Sequence, residues 1–240
     1  MREKLKDQGK MKIKICGITR EMDVKTCETK GAELIGFINI KRSKRFVDAH
    51  EIQKLSSIME DKSKAVLVTE TEDLFEVESL IESTGIKYVQ FHSQSAPRLR
   101  RFKENNPDVK VIRAVGIPES LGEEKIKEIE VYADVCDYLL FDYEVSCKTG
   151  GTGKQIPLEL AVKAVDAARK NSQISLLLAG GMDSNRMKSE GKILKDYFEY
   201  VDVNSGVEDQ PGVKDENKIM EFMDVMNREV VNYDFQGEIR

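Results

Sequence analysis

The sequence has 240 residues and a formal net charge of -5, from 38 basic and 43 acidic side chains. A chain of this length can bury a large core without disulfides or metals, which indicates one enzyme-sized domain. Its cationic residues are spread along the chain instead of clustered, so the sequence predicts no nucleic-acid partner. No apolar run approaches the roughly 18 residues of a membrane helix, so we expect a cytoplasmic protein that binds a small molecule.

The cysteines and histidines of the sequence are few: Cys16, Cys27, Cys136, Cys147, His50 and His92. The cysteines form no CxxC pair and the two histidines lie far apart, so the sequence predicts no metal site. The simplest interpretation of the cysteines is that they are reduced thiols in a cytoplasmic protein.

Short β-rich segments alternate with longer charged segments of helical period. The predicted strands cover 11–17, 34–40, 64–69, 87–91, 109–115, 137–141, 174–179 and 199–203. The predicted helices cover 21–30, 48–60, 71–84, 96–105, 119–133, 157–171, 184–197 and 214–230. Asp48, and Asp183 with Ser184, are predicted helix starts because short polar side chains accept hydrogen bonds from free backbone N–H groups.

Eight strand and helix pairs in this length predict a single (β/α)8 TIM barrel over residues 11–231. An open doubly wound sheet gives a similar alternation, and periodicity alone does not reject it, but eight units favour the closed barrel. We expect residues 1–10 to form a polar N-terminal extension and residues 232–240 a polar C-terminal tail.

Three glycine clusters follow the last three predicted strands: TGGTGK at 149–154, AGGM at 179–182 and NSGVE at 204–208. Glycine lets backbone N–H groups approach an anion closely, and a following helix N-terminus adds partial positive charge. Barrels commonly bind phosphate with the loops after strands seven and eight. Any one cluster is equally well explained as a tight turn. Three clusters at the same end of a barrel favour a phosphate site.

Two side chains at predicted strand ends are candidates for proton transfer. Cys16 ends the first strand, and a thiolate there can act as a base if nearby cations lower its pKa. Asp142 ends the sixth strand, and a carboxylic acid there can donate a proton if burial raises its pKa. Taken alone, such a cysteine is more often an inert core residue and such an aspartate a loop or cap residue.

Other polar residues are predicted to line the same mouth of the barrel. Arg45, in the basic segment KRSKRF at 41–46, can bind a carboxylate through two hydrogen bonds, although such a segment is usually a solvated loop. Asp202 can bind an amine or cap a loop. Gln90 and His92 lie at the end of the fourth strand, where His92 fits an orienting role better than a catalytic one.

A series of motifs along the whole chain resembles the phosphoribosylanthranilate isomerase family, the barrel enzymes of tryptophan biosynthesis. The motifs are KICGITR (14–20), GFINIKRSKRF (36–46), VQFHS (89–93), LLFD (139–142), GGTGK (150–154), LAGGM (178–182) and VDVNSGVEDQPGVKD (201–215). The first and last of these are the most specific.

The resemblance implies an Amadori rearrangement of N-(5'-phosphoribosyl)anthranilate to 1-(2-carboxyphenylamino)-1-deoxyribulose 5-phosphate. It assigns Cys16 as general base, Asp142 as general acid, Arg45 to the anthranilate carboxylate and Asp202 to the anthranilate amine. Gln90 and His92 are further substrate-binding candidates. The residues that it implies for phosphate binding are Gly151, Gly153, Gly180, Gly181, Ser205 and Gly206. It implies no cofactor, and a monomer or a homodimer.

This chain departs from the family pattern in several loops. Gln155, Ile156, Pro157 and Leu158 follow GGTGK where a Phe-Asp-Trp stretch is usual. Residues 183–185 follow AGGM where an Asn-Pro-Glu-Asn segment is common. The loop that contains Cys147 is about one residue longer. Two alternatives therefore stay open: a paralogue that binds a phosphorylated ligand with reduced turnover, and a histidine-pathway aminoaldose isomerase. Cys16 argues against the second, because the resemblance gives that family two aspartates as acid and base.

Overall fold

The computed structural model describes residues 10–145, 148–149 and 154–234. Within these residues eight parallel strands form a barrel, numbered here in chain order. Strands β1 to β8 cover Lys12–Cys16, Leu34–Asn39, Ala65–Thr69, Tyr88–Phe91, Lys110–Ile117, Tyr138–Val145, Ser175–Leu178 and Tyr200–Val203. They pair in the order 5-4-3-2-1-8-7-6, and β5 also pairs with β6. This closed pairing rules out an open doubly wound sheet and confirms the predicted (β/α)8 barrel.

An α-helix follows each strand. Helices α1 to α8 cover Glu21–Thr29, Ala49–Ser57, Leu74–Thr84, Ala96–Asn105, Glu123–Ala133, Leu158–Ala168, Ser184–Leu194 and Glu216–Asp234. The predicted starts of two helices are confirmed, because Asp48 accepts a hydrogen bond of 2.8 Å from the N–H of Glu51, and Asp183 one of 2.8 Å from that of Arg186. No helix in the described ranges is both long enough and apolar enough to span a membrane.

Among the strands, the largest difference from the predicted boundaries lies at the C-terminal end of β6. β6 continues to Val145 instead of ending at 141, because its end pairs in an antiparallel hairpin with Lys148–Thr149. A second hairpin, Glu208–Gln210 with Val213–Lys214, lies in the segment between β8 and α8. Both hairpins follow barrel strands and therefore lie at the mouth where the candidate site residues were predicted.

The interior of the barrel changes from apolar to charged along its axis. Alternate strand residues point inward. Near the N-terminal ends of the strands, the ring centroids of Tyr88 and Tyr138 are 5.9 Å apart and those of Tyr138 and Tyr200 are 6.1 Å apart. Aliphatic side chains such as Val68 and Leu140 belong to the same interior cluster. This packed base leaves the polar inward-facing residues at the C-terminal ends.

Candidate active site

Cys16 ends β1 inside the barrel, where its side chain is almost completely buried. Its neighbour in register on β2 is Gly36, and a Cβ atom at position 36 would be only 2.8 Å from the sulfur of Cys16. Gly36 therefore provides the space that the thiol occupies. Gly36 is not among the residues predicted from the sequence, although a glycine inside a strand is a known signal of close approach.

Lys14 and Asp202 form an ion pair below Cys16. β1 and β8 bring the two residues into register, and the distance from Lys14 Nζ to Asp202 Oδ1 is 2.9 Å. Lys14 is 0% exposed. Burial alone would lower the pKa of Lys14, but the carboxylate of Asp202 raises it above its ordinary value. A permanent cation, which the sequence analysis missed, thus lies on the same face of β1 as Cys16.

The thiol of Cys16 experiences opposing influences. Burial raises its pKa above the ordinary value, whereas the positive charges of Lys14 and Lys214 and a hydrogen bond with Lys14 lower it. The thiol form is therefore the main form at neutral pH, with two cations ready to stabilise the thiolate. Burial also raises the pKa of Cys27 and Cys136, in both cases to about 12.

Asp142 lies on the inward face of β6 and is 7% exposed. Its Oδ1 accepts a hydrogen bond of 2.8 Å from the N–H of Tyr143. Gly180 is packed against the same oxygen, because a Cβ atom at position 180 would lie 2.7 Å from it. Burial raises the pKa of Asp142 to about 7, and the negative charge of Asp202 adds to this effect. A large fraction of this carboxyl group is therefore protonated at neutral pH, as a general acid requires.

Arg45 reaches the mouth from the loop after β2 and meets a carboxylate there. Its Nε and Nη2 donate hydrogen bonds of 2.8 and 2.6 Å to the two carboxylate oxygens of Glu208. Lys214, which is buried, donates to Glu208 as well, at 3.0 Å, and to the side chain of Asn204, at 2.9 Å. Sequence reasoning identified Arg45 but neither Glu208 nor Lys214, although both lie in the motif at 201–215.

Gln90 and His92 lie together at the end of β4. The side chain of Gln90 points into the barrel, and its Nε2 is 2.9 Å from Nε2 of His92. Burial lowers the pKa of His92 to about 3, with a further contribution from the charge of Arg113. The imidazole is therefore neutral and can accept this hydrogen bond from the amide. The buried Oε1 of Gln90 has no hydrogen-bond partner in the part of the chain that the structure describes.

The predicted phosphate-binding residues fall into a described and an undescribed set. Gly180 and Gly181 follow β7 with φ angles of 82° and 58°, which favour glycine. Ser205 and Gly206 follow β8 in a short 3-10 turn, and a Cβ atom at position 206 would lie 2.0 Å from the carbonyl oxygen of Met182. The loops after β7 and β8 are thus in direct contact. Residues 150–153, which include Gly151 and Gly153, lie outside the described residues.

The mouth therefore combines a buried acid, a thiol beside a buried ammonium group, and an arginine that holds a carboxylate. Among the described residues, no group of three or more histidine, cysteine, aspartate or glutamate side chains could hold a metal ion. A carboxylic acid and a thiol in one mouth can move protons to and from a bound molecule.

Comparisons with known proteins agree with this arrangement. A family model described as N-(5'-phosphoribosyl)anthranilate (PRA) isomerase matches residues 13–225. A protein named N-(5'-phosphoribosyl)anthranilate isomerase from Methanothermobacter thermautotrophicus is 34% identical over 224 residues, which cover 90% of this chain and 88% of that protein. A protein of the same name from Gloeothece citriformis is 30% identical over 224 residues, which cover 93% of this chain and 97% of that protein.

Solved structures show the same fold. The phosphoribosyl anthranilate isomerase of Thermotoga maritima matches with a TM-score of 0.76 and 27% identity, over 91% of this chain and 99% of that chain. The enzyme of Thermus thermophilus matches with a TM-score of 0.75 and 25% identity, over 91% and 99%. Together with the family model, which matches most of the chain, these relatives show that the chain belongs to the N-(5'-phosphoribosyl)anthranilate isomerase family.

Proposed function

We propose that in the isomerase reaction of this family Cys16 is the general base and Asp142 the general acid. The reaction is the Amadori rearrangement of N-(5'-phosphoribosyl)anthranilate, a step of tryptophan biosynthesis. The observation that supports these roles best is the burial of Asp142 in the mouth that also contains Cys16, because this burial raises the pKa of Asp142 to about 7. A carboxylic acid at neutral pH and a thiol next to a buried lysine are the two groups that this reaction needs.

The proposed steps move one proton at a time. Asp142 donates its proton to the ring oxygen of the ribose while the bond from C1 to that oxygen breaks, and the lone pair of the substrate nitrogen forms the C1=N bond of a Schiff base. The thiolate of Cys16 then removes the proton from C2, and the electron pair forms a C1=C2 bond as the C1=N electrons return to nitrogen. The resulting enolamine tautomerises to the ketose. Because the substrate's nitrogen supplies the electrons, the reaction as proposed needs no cofactor.

Further residues of the mouth are proposed to hold the anthranilate part of the substrate. Arg45 binds the anthranilate carboxylate, and its two hydrogen bonds to Glu208 support this role, because its guanidinium group is already arranged for a carboxylate. Asp202 binds the anthranilate amine. Burial raises the pKa of Asp202, and the ion pair with Lys14 opposes this shift and favours the ionised carboxylate.

The remaining predicted contacts belong to the sugar and the phosphate. The Oε1 of Gln90, which has no hydrogen-bond partner among the described residues, supports a contact with a sugar hydroxyl, and His92 orients the amide. The phosphate-binding set comprises the predicted glycines and serine of the loops after β6, β7 and β8: Gly151, Gly153, Gly180, Gly181, Ser205 and Gly206. Cytoplasmic location is part of the same proposal, and the choice between monomer and homodimer stays a prediction.

Turnover by the purified protein tests this function. We expect the protein to consume N-(5'-phosphoribosyl)anthranilate, and its gene to restore growth without tryptophan to a strain that lacks this isomerase. A folded protein that binds inorganic phosphate but does not consume the substrate would support the alternative of a phospho-ligand binding module. Turnover of only the histidine-pathway aminoaldose would support the other alternative.

A further inference from the structure

The side chain of Arg186 connects two loops of the barrel mouth from behind. Arg186 lies in the first turn of α7, and its side chain is 1% exposed. Its Nη1 donates a hydrogen bond of 2.9 Å to the carbonyl oxygen of Gly180, and its Nη2 one of 2.9 Å to that of Ile156. One planar guanidinium group therefore holds the loop after β7 and the loop after β6 together, which a point charge cannot do equally well.

Gln155 also connects these two loops, but here the donor lies in the loop after β6 and the acceptor in the loop after β7. Its Nε2, in the loop after β6, donates a hydrogen bond of 3.0 Å to the carbonyl oxygen of Gly181. The Nε of Arg186 donates to Glu190, one turn further along α7, at 3.0 Å, which fixes the plane of the guanidinium group. Gln155 belongs to the stretch after GGTGK in which this sequence departs from its family's pattern, and Arg186 directly follows the second such stretch, residues 183–185.

These hydrogen bonds determine where the backbone N–H groups of the loop after β7 point. In a trans peptide the C=O and the N–H of the same plane point in opposite directions. Because Arg186 binds the carbonyl of Gly180, the N–H of Gly181 is directed away from the guanidinium group. The bond from Gln155 to the carbonyl of Gly181 directs the N–H of Met182 away from Gln155 in the same manner. Carbonyl oxygens that are held in this way cannot turn toward an anion and repel it.

The effect extends to the loop after β8. Gly206 is packed against the carbonyl of Met182 so closely that a Cβ atom there would lie 2.0 Å from the oxygen. A shift of the loop after β7 would therefore displace the turn that contains Ser205 and Gly206. The position of Arg186 is itself fixed, because its N–H donates to the Asp183 cap at 2.8 Å and its side chain is buried.

We propose that Arg186 is a positioning residue that holds the phosphate-binding loops after β7 and β8 in their binding conformation, and that Gln155 assists it. This inference rests on the proposed function, because it requires these loops to bind the phosphate of the substrate. Arg186 does not contact the phosphate. It sets the affinity for the phosphate group through the carbonyl oxygens of Gly180 and Ile156.

Arg186→Met tests the proposal, because methionine fills most of the same volume and removes the donors. Arg169→Met is the matched control: Arg169 forms a partly buried ion pair with Glu199, at 2.6 Å, on the opposite face of the barrel. We expect Arg186→Met to raise the Kd for inorganic phosphate and the KM for the substrate by about 10-fold, with a smaller change in kcat. Arg169→Met should change neither. Arg186→Lys keeps the charge without the planar fork and should restore little of the lost affinity.

Several results would overturn the proposal. One is an Arg186→Met protein with a native circular dichroism spectrum and the wild-type Kd for inorganic phosphate, and another is complete recovery by Arg186→Lys. If Arg186→Met does not fold, Gln155→Ala replaces it, since the Gln155 side chain is exposed. That variant should raise the Kd about threefold, and a wild-type Kd would contradict the inference. A wild-type protein that does not consume the substrate would contradict the proposed function itself, which separates that failure from a failure of the role of Arg186.

Discussion

The two ends of the barrel mouth arrange their polar groups by different means. The carboxylate end comprises the residues proposed to bind the anthranilate. There charged side chains pair with one another: Lys14 pairs with Asp202, and Arg45 with Glu208. The phosphate end comprises the loops proposed to bind the phosphate. There Arg186 binds main-chain carbonyl oxygens instead. An ion pair can exchange its partner when a charged ligand arrives, whereas carbonyls that are held from behind keep backbone N–H groups in fixed directions. The proposed roles therefore predict that Arg45 exchanges its partner when the ligand binds, whereas the loops next to Arg186 bind with a preformed backbone.

The largest effect on activity is expected from changes of the proposed acid and the proposed base. Asp142→Asn or Cys16→Ala should lower kcat by about 10²- to 10⁴-fold, because each removes a proton-transfer group. The Kd for inorganic phosphate should stay at the wild-type value, since neither change alters the loop carbonyls. Cys136→Ala is the control, because Cys136 is a buried cysteine outside the mouth. Steady-state kinetics decide the matter, and normal turnover by Cys16→Ala would show that the base is another group.

A smaller effect is expected from the carboxylate end alone. Arg45→Met should raise the KM for the substrate about 10- to 100-fold, because a charge-assisted hydrogen bond contributes about 1.5 to 3 kcal/mol. Arg42→Met is the control in the same loop: Arg42 also binds a carboxylate, that of Glu70 at 2.6 Å, but on the exposed surface. The KM of the Arg42→Met variant should match the wild-type value. Equal KM values for the two variants would contradict recognition by Arg45.

Much of the mouth could be predicted from the sequence because parallel strands end at one face of a barrel. Cys16, Asp142 and Asp202 lie at or near the predicted C-terminal ends of their strands, so a closed barrel places them at the same face. Lys14 could not be recognised in this way. A lysine in an alternating strand usually faces solvent, and its burial depends on the register of β1 with β8, which joins residues 188 positions apart.

The loops were harder to predict than the barrel. Glu208 lies within the predicted cluster NSGVE, but its contact with Arg45 depends on a short hairpin that local periodicity does not reveal. The hydrogen bond from Gln155 to Gly181 joins the loops after β6 and β7, each of which contains a departure from the family pattern. A short window of sequence does not predict long-range hydrogen bonds of this kind, but it does predict the alternation of strands and helices.

The proposed roles require that Cys16 is a thiolate while Asp142 keeps its proton. In the active form Cys16 is a thiolate and Asp142 is a carboxylic acid. This form carries as many protons as the more abundant form, in which Cys16 is a thiol and Asp142 is a carboxylate. Since burial raises the pKa of Asp142 to about 7 and that of Cys16 above its ordinary value, kcat/KM should rise as the pH increases through about 7 and fall only above the pKa of the thiol.

The pH dependence of kcat/KM, measured for the wild type and for Asp142→Asn, tests this claim most directly. The phosphate group of the substrate titrates equally in both experiments, so the difference between the two profiles belongs to the protein. We predict that the rise near pH 7 is present in the wild type and absent from Asp142→Asn, whose residual activity rises only as the thiol ionises. The same rise near pH 7 in both proteins would contradict the assignment of Asp142 as the general acid.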